Sequence, residues 1–189
     1  MTYALVTPPA AEPLTLADVK AHLRLDGSDE DDLLAALIAA ARQHLEASTG
    51  LCLITQGWRL YLDRWPWNGM IEIAKGPLQL VESVTVYDGD GVGEDVSLDG
   101  HVLDAASEPA RFFLESQPLP GRALNGIEID FLAGFGDAAT DVPDALKRAM
   151  LMHVALMYEL RGAVSADMQP AAVPAGYERL ISPYRTVRL

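Results

Sequence analysis

The hydrophobic period of this chain changes twice, and that limits the architectures open to it. Leu33, Leu34, Leu37, Ile38, Ala41 and Leu45 recur at helical spacing and form one apolar stripe. From Leu53 the period drops to two: Ile54, Trp58, Leu60 and Leu62 alternate with Thr55, Arg59, Tyr61 and Asp63. Ile127, Ile129 and Phe131 repeat that alternation against Glu128 and Asp130. A helical period then returns through Ala145, Leu146, Ala149, Met150, His153, Val154, Leu156, Met157 and Leu160. Helices that bracket a run of strands, instead of alternating with them, predict an α+β fold with an antiparallel sheet.

Local signals set the boundaries. Pro8, Pro9 and Pro13 favour an extended start over a helix. Thr15 with Asp18 three residues on reads as a helix N-cap, and Asp26-Gly27 as the break that follows. Ser28 is expected to cap a second helix, whose first turn places Asp29, Glu30, Asp31 and Asp32 at the positive end of the helix dipole. Gly50 is the expected stop. Strands are predicted at 70–74, 80–87, 111–115 and 127–132, with turns at Asp88-Gly-Asp-Gly and Pro120-Gly121. Asp141 and Pro143 open the last long helix, which Gly162 closes. The expected fold is a helical bundle from N- and C-terminal helices (15–50 and 142–162) with an inserted antiparallel β region (53–132). This gives one domain over 1–162 and an extended C-terminal arm over 163–189, and the long helices are expected to meet through Leu37 and Leu146.

Composition narrows the function. With 14 basic and 27 acidic side chains the formal charge is −13, which opposes binding to a phosphate backbone. The charge is uneven. Residues 88–108 hold seven acids and no Lys or Arg, whereas 177–189 hold three Arg against one Glu. Cys52 is the only cysteine, so no internal disulfide forms, and its apolar neighbours predict burial. No apolar run approaches the ~20 residues a membrane span needs, and the first residues lack the pattern of a signal peptide. A soluble protein made in a cytoplasm is expected.

Catalytic patterns are sparse. His22, His44, His101 and His153 make no metal-ligand spacing, and His153 falls on an apolar helix face. Asp88-Gly-Asp-Gly lacks the further acidic ligands of a calcium loop and reads as a hairpin turn. No Ser or Cys sits in a glycine-flanked elbow, and Gly134-Phe-Gly136 reads as a tight strand-to-helix connection. Neither catalytic residues, nor metal ligands, nor a cofactor are therefore expected. The alternative is an enzyme or small-ligand binder using carboxylates of the strand region. Arg64, Trp65 and Trp67, in Arg64-Trp-Pro-Trp67, are either a loop packed on the sheet or a protein-contact hot spot, since Trp and Arg dominate such spots.

Several strings carry a resemblance. They are Thr15-Leu-Ala-Asp-Val-Lys-Ala-His-Leu-Arg24, Asp29 to Arg42, Thr49-Gly50 and Ile54-Thr-Gln56, followed by Phe131-Leu-Ala-Gly-Phe-Gly136, Val142-Pro-Asp-Ala-Leu-Lys147 and Tyr158-Glu-Leu-Arg161. In this order and spacing the chain resembles the head–tail connector (adaptor) proteins of long-tailed bacteriophages and gene-transfer agents. The resemblance covers roughly residues 7–60 and 126–162. It implies a non-enzymatic structural subunit at the particle neck, in a ring of typically twelve copies below the portal. Such a ring joins the portal to the next tail component (a stopper or tail terminator) and lets DNA pass, without membrane contact. By position, the resemblance implies portal binding by the C-terminal stretch, here Tyr177, Arg179, Tyr184, Arg185 and Arg188. An acidic wall that does not hold DNA would suit the conduit, so Asp88, Asp90, Glu94 and Asp95 are candidate channel-facing residues.

Overall fold

The computed structural model describes residues 1–160 and 173–185. The fold is α+β, and the chain divides into two compact units, both discontinuous in sequence. A β unit joins Met1–Ala10 to Thr55–Phe135, and a helical unit joins Ala11–Ile54 to Gly136–Leu189. The first ten residues thus belong with the strands.

The helical unit begins with α1 (Leu16–Leu23). Thr15 caps it as expected: its hydroxyl accepts the Asp18 N–H (3.1 Å) while its own N–H donates to the Asp18 carboxylate (2.9 Å). α2 (Asp31–Thr49) starts later than expected and has Glu30, not Ser28, at its N-cap. Ser28 contributes its carbonyl, which accepts the Asp31 N–H, so its role is in the turn before the helix. Gly50 ends α2 at φ 82°, a left-handed conformation that glycine adopts without steric cost. α3 (Asp144–Leu160) follows a 3-10 turn at Ala139–Asp141. Leu34, Leu37, Ile38, Ala41 and Leu45 of α2 are buried, as are Leu146, Ala149, Met150, Val154 and Met157 of α3, and the two helices pack together. Burial of each such side chain contributes about 1.5–3 kcal/mol before chain entropy is counted.

Residues 163–189 were expected to form an extended arm. Residues 161–172 and 186–189 lie outside the described residues, but within 173–185 the chain forms α4 (Tyr177–Ile181) and a 3-10 turn at Ser182–Tyr184. α4 packs on α3, with Tyr177 and Ile181 fully buried. Five residues are too few to show periodicity, yet two apolar side chains four apart suffice to seat a turn of helix.

The β unit holds β1 (Thr2–Thr7), β2 (Gln56–Leu62), β3 (Met70–Ile73), β4 (Leu78–Tyr87), β5 (Gly93–Asp95), β6 (Val102–Asp104), β7 (Ala110–Phe113) and β8 (Ile127–Ala133). One antiparallel sheet has the order β1-β2-β8-β4-β5 and a second the order β3-β7-β6. The period-two expectation sets the register: Trp58, Leu60 and Leu62 face Phe131, Ile129 and Ile127. Ile127, Ile129 and Phe131 are fully buried. On the other face Arg59 bridges Glu128 (2.8 Å) and Asp130 (2.6 Å), so the polar half of the alternation is paired across strands.

Candidate partner-binding surfaces

The turn residues show what the acidic stretch does locally. β4 and β5 form a hairpin whose loop is organised by Asp88: its Oδ1 accepts the N–H groups of Asp90 (2.9 Å) and Val92 (2.8 Å). Its carbonyl accepts the Gly91 N–H, and Gly91 sits at φ 85°. A carboxylate holding two backbone donors is a turn-former. Asp95 accepts the Thr85 hydroxyl (2.8 Å). Asp104 takes Arg111 (2.5 Å) and Ser107 (2.7 Å), which hold its carboxyl at about 2. Among the described residues no three His, Cys, Asp or Glu side chains are grouped to hold a metal ion. Asp88, Asp90, Glu94 and Asp95 are all exposed on the hairpin.

Strand register gathers several loops at one end of the five-stranded sheet. Thr2 pairs with Tyr61, Leu62 with Ile127, Val86 with Ile127 and Tyr87 with Gly93, so segments 62–69, 87–93 and 118–126 leave the sheet together. The Gly121 N–H donates to the Tyr87 carbonyl (2.8 Å) and the Asn125 N–H to the Asp63 carboxylate (2.9 Å), tying the last segment across that end. Met1, Trp67, Val92, Leu119 and Leu124 are all well exposed there, Trp67 at 97 %. The two tryptophans of Arg64-Trp-Pro-Trp67 differ in their surroundings. Trp65 is half-buried and its indole N–H donates to the Pro118 carbonyl (2.7 Å); Trp67 stands in solvent beside exposed Arg64. A groove of about 430 Å³ runs on the β5 side, walled by Val86, Val92, Val96 and Leu119 and edged by Asp88, Glu94 and Asp95.

In the helical unit the residues expected at a partner contact divide. Tyr177 is buried, its ring 5.5 Å from that of His153 and 6.0 Å from that of His44, so it anchors α4 and offers no free surface. Burial pushes its hydroxyl up to about 12 and lowers the His44 pKa. Arg179 and Arg185 are exposed and Tyr184 is half-buried, with Arg185 paired to Glu178 (2.5 Å). Arg188 lies outside the described residues. His153, on its apolar face, is fully buried and stacks edge-on with His44 at 4.9 Å. A spacing of 109 residues between those histidines hid this cluster from any motif.

Residues 13–95 match the family of phage gp6-like head–tail connector proteins. A chain in the structure of the neck of an empty gene-transfer-agent (GTA) particle, computed with C6 symmetry, is 32% identical with a TM-score of 0.83; the match covers 100% of this chain and 97% of that one. A chain in the virion of a native GTA particle is 30% identical with a TM-score of 0.78, over the same shares. A third, in the neck of a native GTA particle computed with C12 symmetry, is 30% identical with a TM-score of 0.71, again over 100% and 97%. Comparison with curated proteins gives no match. The chain belongs to the head–tail connector family.

Proposed function

We propose that this protein is a structural neck adaptor that assembles as a ring below the portal, joins head to tail and lets DNA pass. The observation that carries this is the end-to-end likeness, at 32% identity, to a chain of a GTA particle neck. Sixfold and twelvefold symmetry in those necks suits a ring of this chain. The formal charge of −13 suits a conduit, because a wall that repels phosphate leaves the duplex free to slide. The portal-facing contact is assigned to Arg179, Tyr184, Arg185 and Arg188, with Tyr177 holding α4 in place. No catalytic role is assigned. Electron microscopy of particles made without this gene tests the reading. Heads lacking tails are expected; normally tailed particles would refute it.

A further inference from the structure

A ring of identical copies joined head to tail needs two different, complementary patches on each copy, placed so that each copy meets its neighbour the same way round. The β unit carries such a pair. The projecting patch is the loop after β2, where Trp67 is 97 % exposed beside exposed Arg64. The receiving patch is the groove on β5, about 430 Å³, with an apolar wall of Val86, Val92, Val96 and Leu119 and the carboxylates of Glu94 and Asp95 at its edge. Its volume lies in the range of sites that enclose small ligands. In the strand order β1-β2-β8-β4-β5 the loop leaves the sheet beside one edge and the groove is built on the other. The loop follows β2 and the groove lies on β5, three strand spacings of ~4.8 Å and so roughly 14 Å away across the sheet.

We propose that the Arg64–Trp67 loop of one copy inserts into the β5 groove of the next. Trp67 fills the apolar wall and Arg64 meets Glu94 and Asp95. The occupant is a second copy of this chain because loop and groove match in both properties, indole to valines and guanidinium to carboxylates. A nucleic-acid strand meets the wrong charge at the groove. Trp65 is spoken for by its hydrogen bond to Pro118 and holds the loop's base, leaving Trp67 as the inserting ring. This proposal rests on the ring reading, and it moves Glu94 and Asp95 from the channel wall to the subunit contact.

The test uses the full chain in assembled particles. Cys52 is the only cysteine and is 1 % exposed, so added thiols report alone. With Arg64→Cys and Glu94→Cys in one chain, a short bismaleimide should yield a ladder of multimers on a denaturing gel, and each single variant none. Particles with a neck ring whose doubly substituted chain stays monomeric, or stops at dimers, overturn the contact and leave the ring standing. Particles whose necks lack a ring of this chain overturn both. A charge swap covers failure of the cysteine variants to assemble. Arg64→Glu and Glu94→Arg should each lower the yield of tailed particles by about tenfold, because like charges then face each other, and together they should restore it. Normal yield from the singles, or no restoration in the pair, overturns the contact.

Discussion

The two units bury apolar cores alike but differ in their exceptions, apolar side chains left open in one and polar side chains buried in the other. Every large apolar side chain exposed among the described residues lies in the β unit, from Met1 and Leu5 to Leu119 and Leu124. Four of the five buried polar side chains, Arg42, Glu46, Thr49 and His153, lie in the helical unit. Arg42 is held by Glu12 (2.8 Å) and Glu46 (2.9 Å), and the other Glu46 oxygen takes the Leu53 N–H (2.9 Å). Within the helical unit, Arg42 and Glu46 are thus satisfied by groups of that same unit. The β unit leaves apolar surface open, as expected of a module completed by neighbours.

The contrast is tested first in the cores. Phe131→Ala in the β unit and Tyr177→Ala in the helical unit should each cost about 3–5 kcal/mol in urea melts, since both rings are fully buried. A near-zero cost for Tyr177 would mean that α4 is an accessory to the helical unit and not part of its seal. Leu146→Ala, on the buried stripe of α3, should cost about 2–5 kcal/mol. Next comes the polar network. Arg42→Met should cost about 1.5–3 kcal/mol, because it strands the Glu46 carboxylate in a buried site. A stabilised variant would show that packing, not pairing, governs this spot.

A smaller effect is expected from pH. Burial lowers the His44 pKa, with Glu178 opposing and Arg185 assisting, so the folded unit prefers the neutral ring. The unfolded ring titrates near 6.5, so this contribution is fully present above that pH and is lost as pH falls below it. Because the ring is partly solvated, the loss should stay below about 1 kcal/mol. Melts of His44→Asn from pH 8 to pH 5 should show a flatter slope than the parent chain; an equal slope would place the titration elsewhere. Smallest of all, Trp67→Ser should leave stability within about 0.5 kcal/mol, since the ring is 97 % exposed. A larger loss would mean that the open surface of the β unit is already in use within one copy.

Legibility followed the distance over which each signal acts. The Thr15–Asp18 capping box, the Gly50 stop and the Pro143 start depend on neighbours within a turn, and each was readable. β8 was readable because Ile127, Ile129 and Phe131 alternate on one buried face. β1 was not: three prolines follow it, and its partner Trp58–Tyr61 stands some fifty residues away. β5 and β6, three residues each, are too short for a period to declare itself. The Trp67 loop stood out by composition, but the groove did not, because residues 86–96 meet Leu119 only through the fold.

The order in which the strands are made differs from the order in which they pair. Thr2–Leu5 of β1 lie against Trp58–Tyr61 of β2. At about 5–20 residues per second, the first strand synthesised waits roughly 3–12 s for its partner. Meanwhile α1 and α2 emerge, with Leu34, Leu37 and Ile38 still awaiting α3, which is synthesised after the last strand. A translation product that stops near residue 135 would hold a complete set of strands and two helices with a bare apolar stripe. Nascent chains of this protein should thus depend most on chaperone cover over the final fifty residues of synthesis.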